Sequence, residues 1–254
     1  MNLTLPYILT FFLASLRLGA LLMMIPAMGG NFVPMQIRIA LVFAITVLMI
    51  PAIEVVGLQN NINIWELSFW AVGELLLGFF MGICVRALFA IMEVAGHLIS
   101  QEIGLMMAEQ FDPASGANSN LIGVLLFYFT TILFFIIGGH LQVIQSLATS
   151  FQIVPIIKND WEVSNFQTVA SVLGQVFSLA VSIAAPFIAV NFIITLGFGV
   201  LGKVAPKINV MLLSFSFRIV GGMLIFFITA NLIFNFLLHY SEEVPASMLE
   251  FLLR

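Results

Sequence analysis

Charged side chains are scarce in this sequence: twelve acidic and eight basic residues in 254, or 8% of the whole. A water-soluble globular protein carries roughly a quarter, so a soluble domain is excluded. No run of Lys or Arg exists of the kind that neutralises phosphates, and nucleic acid is excluded as a partner. Cysteine is nearly missing. Cys84 stands alone inside an apolar run, so neither a disulfide framework nor a thiolate metal cluster can be built. H-E-x-x-H, G-x-S-x-G and Cys/His ligand clusters are all absent. His97, His140 and His239 fall on separate segments, and no acidic pair has a useful spacing. Neither enzyme chemistry nor a cofactor is therefore expected. Residues 1–7 carry no Lys or Arg, and no small-residue cleavage site follows them, which reads as a retained first helix and not a removed signal peptide.

Apolar residues fill the space that charge leaves, at 62% of the chain with a mean hydropathy of +1.17. Six runs, 4–25, 37–53, 67–92, 121–147, 168–199 and 211–238, are bounded by turn residues or charges. At about 20 apolar residues per crossing, they predict six membrane-spanning helices in one membrane domain over 1–254. Strands are rejected because the runs lack period-2 alternation, and irregular backbone in hydrocarbon leaves peptide groups unpaired. Cytoplasmic connections retain positive charge. Arg38, Arg86, Lys203, Lys207 and Arg218 flank the first, third and fifth connections, against Lys158 and Arg254 on the other side, so both termini are expected outside the cytoplasm.

Ionic groups inside such runs are costly, about 2.5–3.5 kcal/mol each at a lipid-facing helix centre. Arg17, Glu74 and Arg86 should therefore face protein or water, with snorkelling towards the interface an equal alternative for Arg86. Glu74, nearer mid-helix, is the better candidate for a partner on another helix. His140, Asn191, Asn231 and Asn235 read as helix–helix hydrogen-bonding groups. Gly78 and Gly82 form a small-xxx-small pair that lets another backbone approach closely. The run 197–204 matches a dinucleotide fingerprint and most of a phosphate loop, but it lacks the preceding strand and has Val204 where a magnesium-binding hydroxyl is needed. It reads as a helix end with lysines at headgroup level.

The stretch 93–120 is the most unusual. Glu93, Glu102, Glu109 and Asp112 occur without one basic residue, mixed with apolar Ile103, Met106, Met107 and Phe111. Pro113 disfavours helix at Asp112, while Gly104 and Gly116 offer conformational freedom at either end. A partly buried, movable segment in a lumen fits this mixture, with adaptable methionines sealing around something of variable shape.

Several stretches together resemble the FliR family of flagellar type III export proteins: Leu16-Arg17 to Gly19, Ile25-Pro26, Gly29, Val33-Pro34 and Ile37-Arg38; Ala95-Gly96-His97, Ile103-Gly104, Met106-Met107, Phe111-Asp112-Pro113 and Gly116; Gly139-His140-Leu141; and Val204 to Lys207, Asn209-Val210, Ser214-Phe215 and Arg218. These four blocks stand in family order and span nearly the whole chain. The resemblance implies an all-α inner-membrane component of the export gate in the flagellar basal body. It implies assembly with FliP and FliQ subunits, beside FlhB and FlhA, in a helical gate that passes unfolded flagellar substrates. Residues 1–150 would be FliP-like, 165–240 a FliQ-like hairpin and 241–254 a tail. The gate's plug would be about 104–120, carried by Gly104, Met106, Met107, Phe111, Asp112, Pro113 and Gly116. This sequence departs at Asn118, Ser119 and Asn120, where the family often has a more apolar end.

Two rival readings remain at this stage. An injectisome homologue would share the same blocks. A small-solute transporter would use Glu74 or Arg17 at a midplane site and break a helix at Pro186, but no internal repeat supports it.

Overall fold

A computed structural model describes residues 4–26, 28, 33–53, 63–106, 120–156, 164–207 and 209–253. Among them the chain is all-α, with helices α1 (Thr4–Met24), α2 (Met35–Met49), α3 (Ile64–Ile103), α4 (Leu121–Ile136), α5 (Gly139–Ile153), α6 (Ser164–Val204) and α7 (Val210–Leu253), and one 3-10 turn (Ile50–Ala52) after α2. Five of them, α1, α2 with its turn, α3, α6 and α7, are long and apolar enough to cross a membrane. A sixth span results if α4 and α5 are one bent span. The protein is an integral membrane protein.

Two boundaries differ from those read in the sequence. The fourth apolar run is two helices, because Gly138 sits at φ +78 between them, the left-handed position at which helices commonly end. Helix α3 runs on through Glu93, His97 and Glu102 to Ile103, so the unusual stretch 93–120 begins as a continuation of the third helix. An uninterrupted α7 passes through Pro245 and carries the residues set apart as a tail. Likewise α6 passes through Pro186 as one helix, so the broken helix required by a solute transporter is not formed.

The chain divides into two compact units, each drawn from separate stretches of sequence. The first comprises Met1–Leu88, Phe134–Leu173 and Ser241–Arg254; the second, Phe89–Leu133 and Gly174–Tyr240. Burial follows helical periodicity in each. On α1, Leu13, Ala14, Arg17, Leu18, Leu21 and Leu22 are buried, while Leu5, Ile8, Phe12 and Met23 are exposed. The spacings of three and four select one face. In the second unit α3 buries Ile91, Met92, Ala95 and Ile99, and α6 buries Ala180, Ile183, Ala184 and Phe187. Large apolar side chains remain exposed along α6 and α7, up to 86% for Phe227, as suits surface that meets lipid or other apolar protein.

Candidate functional site

In the first unit the two mid-helix ionic groups meet. Arg17 and Glu74 are both 0% exposed. The Arg17 guanidinium donates from Nε to Glu74 Oε2 at 2.5 Å and from Nη2 to Oε1 at 3.0 Å, a bidentate fork. Two further N–H groups of the guanidinium also have partners. Nη1 donates to Ser150 Oγ at 3.2 Å and Nη2 to the Val154 carbonyl at 3.1 Å, while the guanidinium lies 4.3 Å above the Phe151 ring. Register comes from glycine: a Cβ at Gly78 would lie 2.1 Å from the Arg17 carbonyl oxygen, and one at Gly82 would lie 2.5 Å from Met24 Cβ. Glu74, Gly78 and Gly82 recur every fourth residue, so one face of α3 brings both the carboxylate and the close approach. The pair is closed to a solute, which removes the midplane site of the transporter reading.

The second unit holds the base of the central segment. Helix α3 ends in a Schellman motif: the Gly104 N–H donates to the Gln101 carbonyl at 3.1 Å and the Leu105 N–H to the Ser100 carbonyl at 3.0 Å. Gly104 takes φ +85 with the Phe215 ring beside it, a conformation other residues adopt only under strain. Asn120 caps α4 from the far side of the segment, accepting from the Gly123 N–H at 3.0 Å. The two ends are tied directly. Ser100 Oγ donates to Asn120 Oδ1 at 3.3 Å and accepts from the Ile122 N–H at 3.3 Å. Beneath this clamp α3 and α4 nearly touch, since a Cβ at Gly96 would stand 2.3 Å from Gly123 Cα.

Glu102 accepts a hydrogen bond from Asn191 Nδ2 on α6, and Arg218 Nη2 on α7 donates to Thr195 Oγ1 at 3.1 Å. A Cβ at Gly222 would stand 2.3 Å from Ile103. The end of α3 is thus seated on both helices of the hairpin.

Among the site residues named from the sequence, Gly104 and Met106 are described, whereas Met107, Phe111, Asp112, Pro113 and Gly116 lie outside the described residues. Arg86 is exposed on α3 and makes no ion pair or hydrogen bond among the described residues. Asn231 and Asn235 are exposed and do not act as helix–helix hydrogen-bonding groups among those residues. His140 lies against Phe135 with centroids 5.1 Å apart and the rings tilted by 40°, and its Nδ1 has no hydrogen-bond partner among the described residues. The glycines at 197 and 199 lie inside α6 with open space around them. Sequence reasoning missed Ser100, Ser150 and the capping role of Asn120. Only Asn120 carried a signal, an amide directly before an apolar run.

A sequence model of the family described as Bacterial export proteins, family 1, matches residues 8–244. The chain is 28% identical over 236 residues to the flagellar biosynthetic protein FliR of Pectobacterium carotovorum subsp. carotovorum, covering 92% of this chain and 89% of that one. It is 28% identical over 227 residues to the FliR of Aquifex aeolicus (strain VF5), covering 89% and 87%. The surface presentation of antigens protein SpaR of Shigella sonnei is 25% identical over 220 residues, 86% of this chain and 84% of its own.

Proposed function

The chain belongs to the bacterial export proteins, family 1, the FliR family, and from that premise we propose that it is one subunit of a channel that passes unfolded flagellar proteins across the bacterial inner membrane. Family membership and the FliR and SpaR relatives support a component of a type III secretion export gate. The finer reading is that it assembles with FliP-like and FliQ-like subunits, beside FlhA and FlhB, and that residues 104–120 plug the conduit at rest. Export is driven from elsewhere, the chain itself contributing the wall and the closure.

The observation that carries the plug reading is the clamp at the segment's base. Gly104 turns the chain at the end of α3, and Ser100 ties that end to Asn120 at the start of α4. An apolar, methionine-containing loop can block ions by dewetting a constriction without a charged gate. Deleting residues 104–120 should raise resting ion leak in cells carrying the assembled gate. Unchanged conductance, with the FliP-like and FliQ-like subunits still co-purifying, overturns the plug.

Similarity to SpaR supports a second reading, an injectisome gate that exports effectors by the same means. Loss of motility on deletion of the gene decides for the flagellar system.

A further inference from the structure

Helix α3 carries three carboxylates beyond its first turn, and they are partnered differently. Glu74 is paired with Arg17, and Glu102 accepts from the Asn191 amide. Glu93 is exposed and has no ion pair or hydrogen bond among the described residues. It lies on an apolar helix long enough to cross a membrane, where a carboxylate turned to lipid is costly and faces protein or water instead.

Its surroundings narrow the choice. Glu93 borders a cavity of about 210 Å³ whose other walls are Asn120 and, from α4, Gly123, Val124, Phe127 and Tyr128. The Phe127 and Tyr128 rings stand edge to face with centroids 5.8 Å apart. Val124 and Tyr128 are exposed at 37% and 47%, so the cavity can be entered from outside. A carboxylate beside two aromatic rings suits an ammonium or guanidinium group, which is drawn to the carboxylate by charge and to the rings by cation–π attraction. No Lys or Arg lines the cavity, and residues 93–120 contain none.

We propose that this cavity is a docking site for a lysine or arginine side chain of a neighbouring gate subunit, with Glu93 as its counter-ion and Phe127 and Tyr128 as its walls. This rests on the reading of the chain as one subunit of a multi-chain gate. The site is set in a braced corner. Asn120 caps α4 and is tied to Ser100, and α3 and α4 approach closely at Gly96 and Gly123, so little ordering is left for the incoming group to impose.

The test uses the complete gate purified from cells in detergent, with co-purification of other gate subunits by the wild-type chain as the starting control. Tyr128→p-benzoylphenylalanine should crosslink to one of those subunits, at a segment that mass spectrometry places beside a Lys or Arg. Glu93→Gln should release that subunit about tenfold faster on dilution, the low end for a close charge pair at an interface. Glu93→Asp should keep most of the retention. Raised salt should bring the wild-type release rate towards that of Glu93→Gln, a response that packing alone does not give. Glu93→Lys should lose the subunit, and replacing the mapped Lys or Arg by Glu in the same gate should restore it. Abundance and Tm check that each variant folds; if Glu93→Lys does not, the Glu93→Gln rates decide. A crosslink to lipid, to a segment without Lys or Arg or to nothing, wild-type release by Glu93→Gln, or no recovery in the exchange overturns the proposal. If the wild-type chain brings down no other subunit, the multi-chain reading has failed; if it does while Glu93→Gln releases at the wild-type rate, only the docking site has failed.

Discussion

The two polar clusters in this chain are built from similar parts and are finished differently. Each has a carboxylate on α3 and an arginine on another helix, Glu74 with Arg17 in one unit and Glu102 with Arg218 in the other. In the first, both oxygens of Glu74 and every arm of the guanidinium have a partner, and exposure is 0%. In the second, the carboxylate is held by an amide, while Arg218 Nε and Asn191 Oδ1 have no partner among the described residues. A fully satisfied buried network has one good arrangement and rigidifies its surroundings. The first is suited to holding α1, α3 and α5 in register. The second sits at the end of α3, beside the left-handed Gly104.

Breaking the closed cluster should have the largest effect. Arg17→Leu leaves Glu74 buried with an uncompensated charge and should cost about 3–5 kcal/mol, read as a lowered Tm of the purified assembly or loss of co-purifying subunits. R17L/E74L should recover most of that loss, since an apolar pair of similar volume leaves nothing unsatisfied. No recovery would mean that the pair does more than fill its site. Gly96→Ala comes next. The added methyl meets Gly123 Cα, and forced separation of packed helices costs about 1–3 kcal/mol, again seen in Tm. Asn120→Ala removes the α4 cap and one end of the clamp, worth about 1 kcal/mol. It should raise resting leak before it lowers assembly, and if leak follows assembly loss instead, the clamp is only structural. Arg86→Gln, on an exposed side chain, should stay within about 0.5 kcal/mol. A larger loss in the assembled gate would show that a partner subunit covers Arg86.

Part of the site was legible before any coordinates. The sequence marks Arg17 and Glu74 as groups that must face protein, because lipid penalises them, and marks Gly78 and Gly82 as a place where a helix can come close. Which helix comes close was not readable. Gly78 meets α1 at Arg17 itself, so packing and pairing form one contact rather than two features. Asn120 illustrates the opposite case. As a departure from an apolar pattern it read as an uncertain end of the segment, whereas it caps α4 and ties back to Ser100. The glycine break at Gly138 escaped notice because a run of apolar residues continues across it, and hydropathy carries no record of backbone angle.

Run length and composition settled that the chain is helical and embedded in membrane, since an apolar backbone in lipid can satisfy its peptide groups only within a helix or a closed barrel and the runs lack the alternation of barrel strands; its relation to an export family was carried by motif blocks, which are local strings. The tertiary structure decided everything that depends on which faces meet. Arg17 finds Glu74 57 residues away, Ser100 closes a loop on Asn120, and stretches distant in sequence share a unit. Such pairings are properties of two surfaces at once, and no single stretch of sequence contains both.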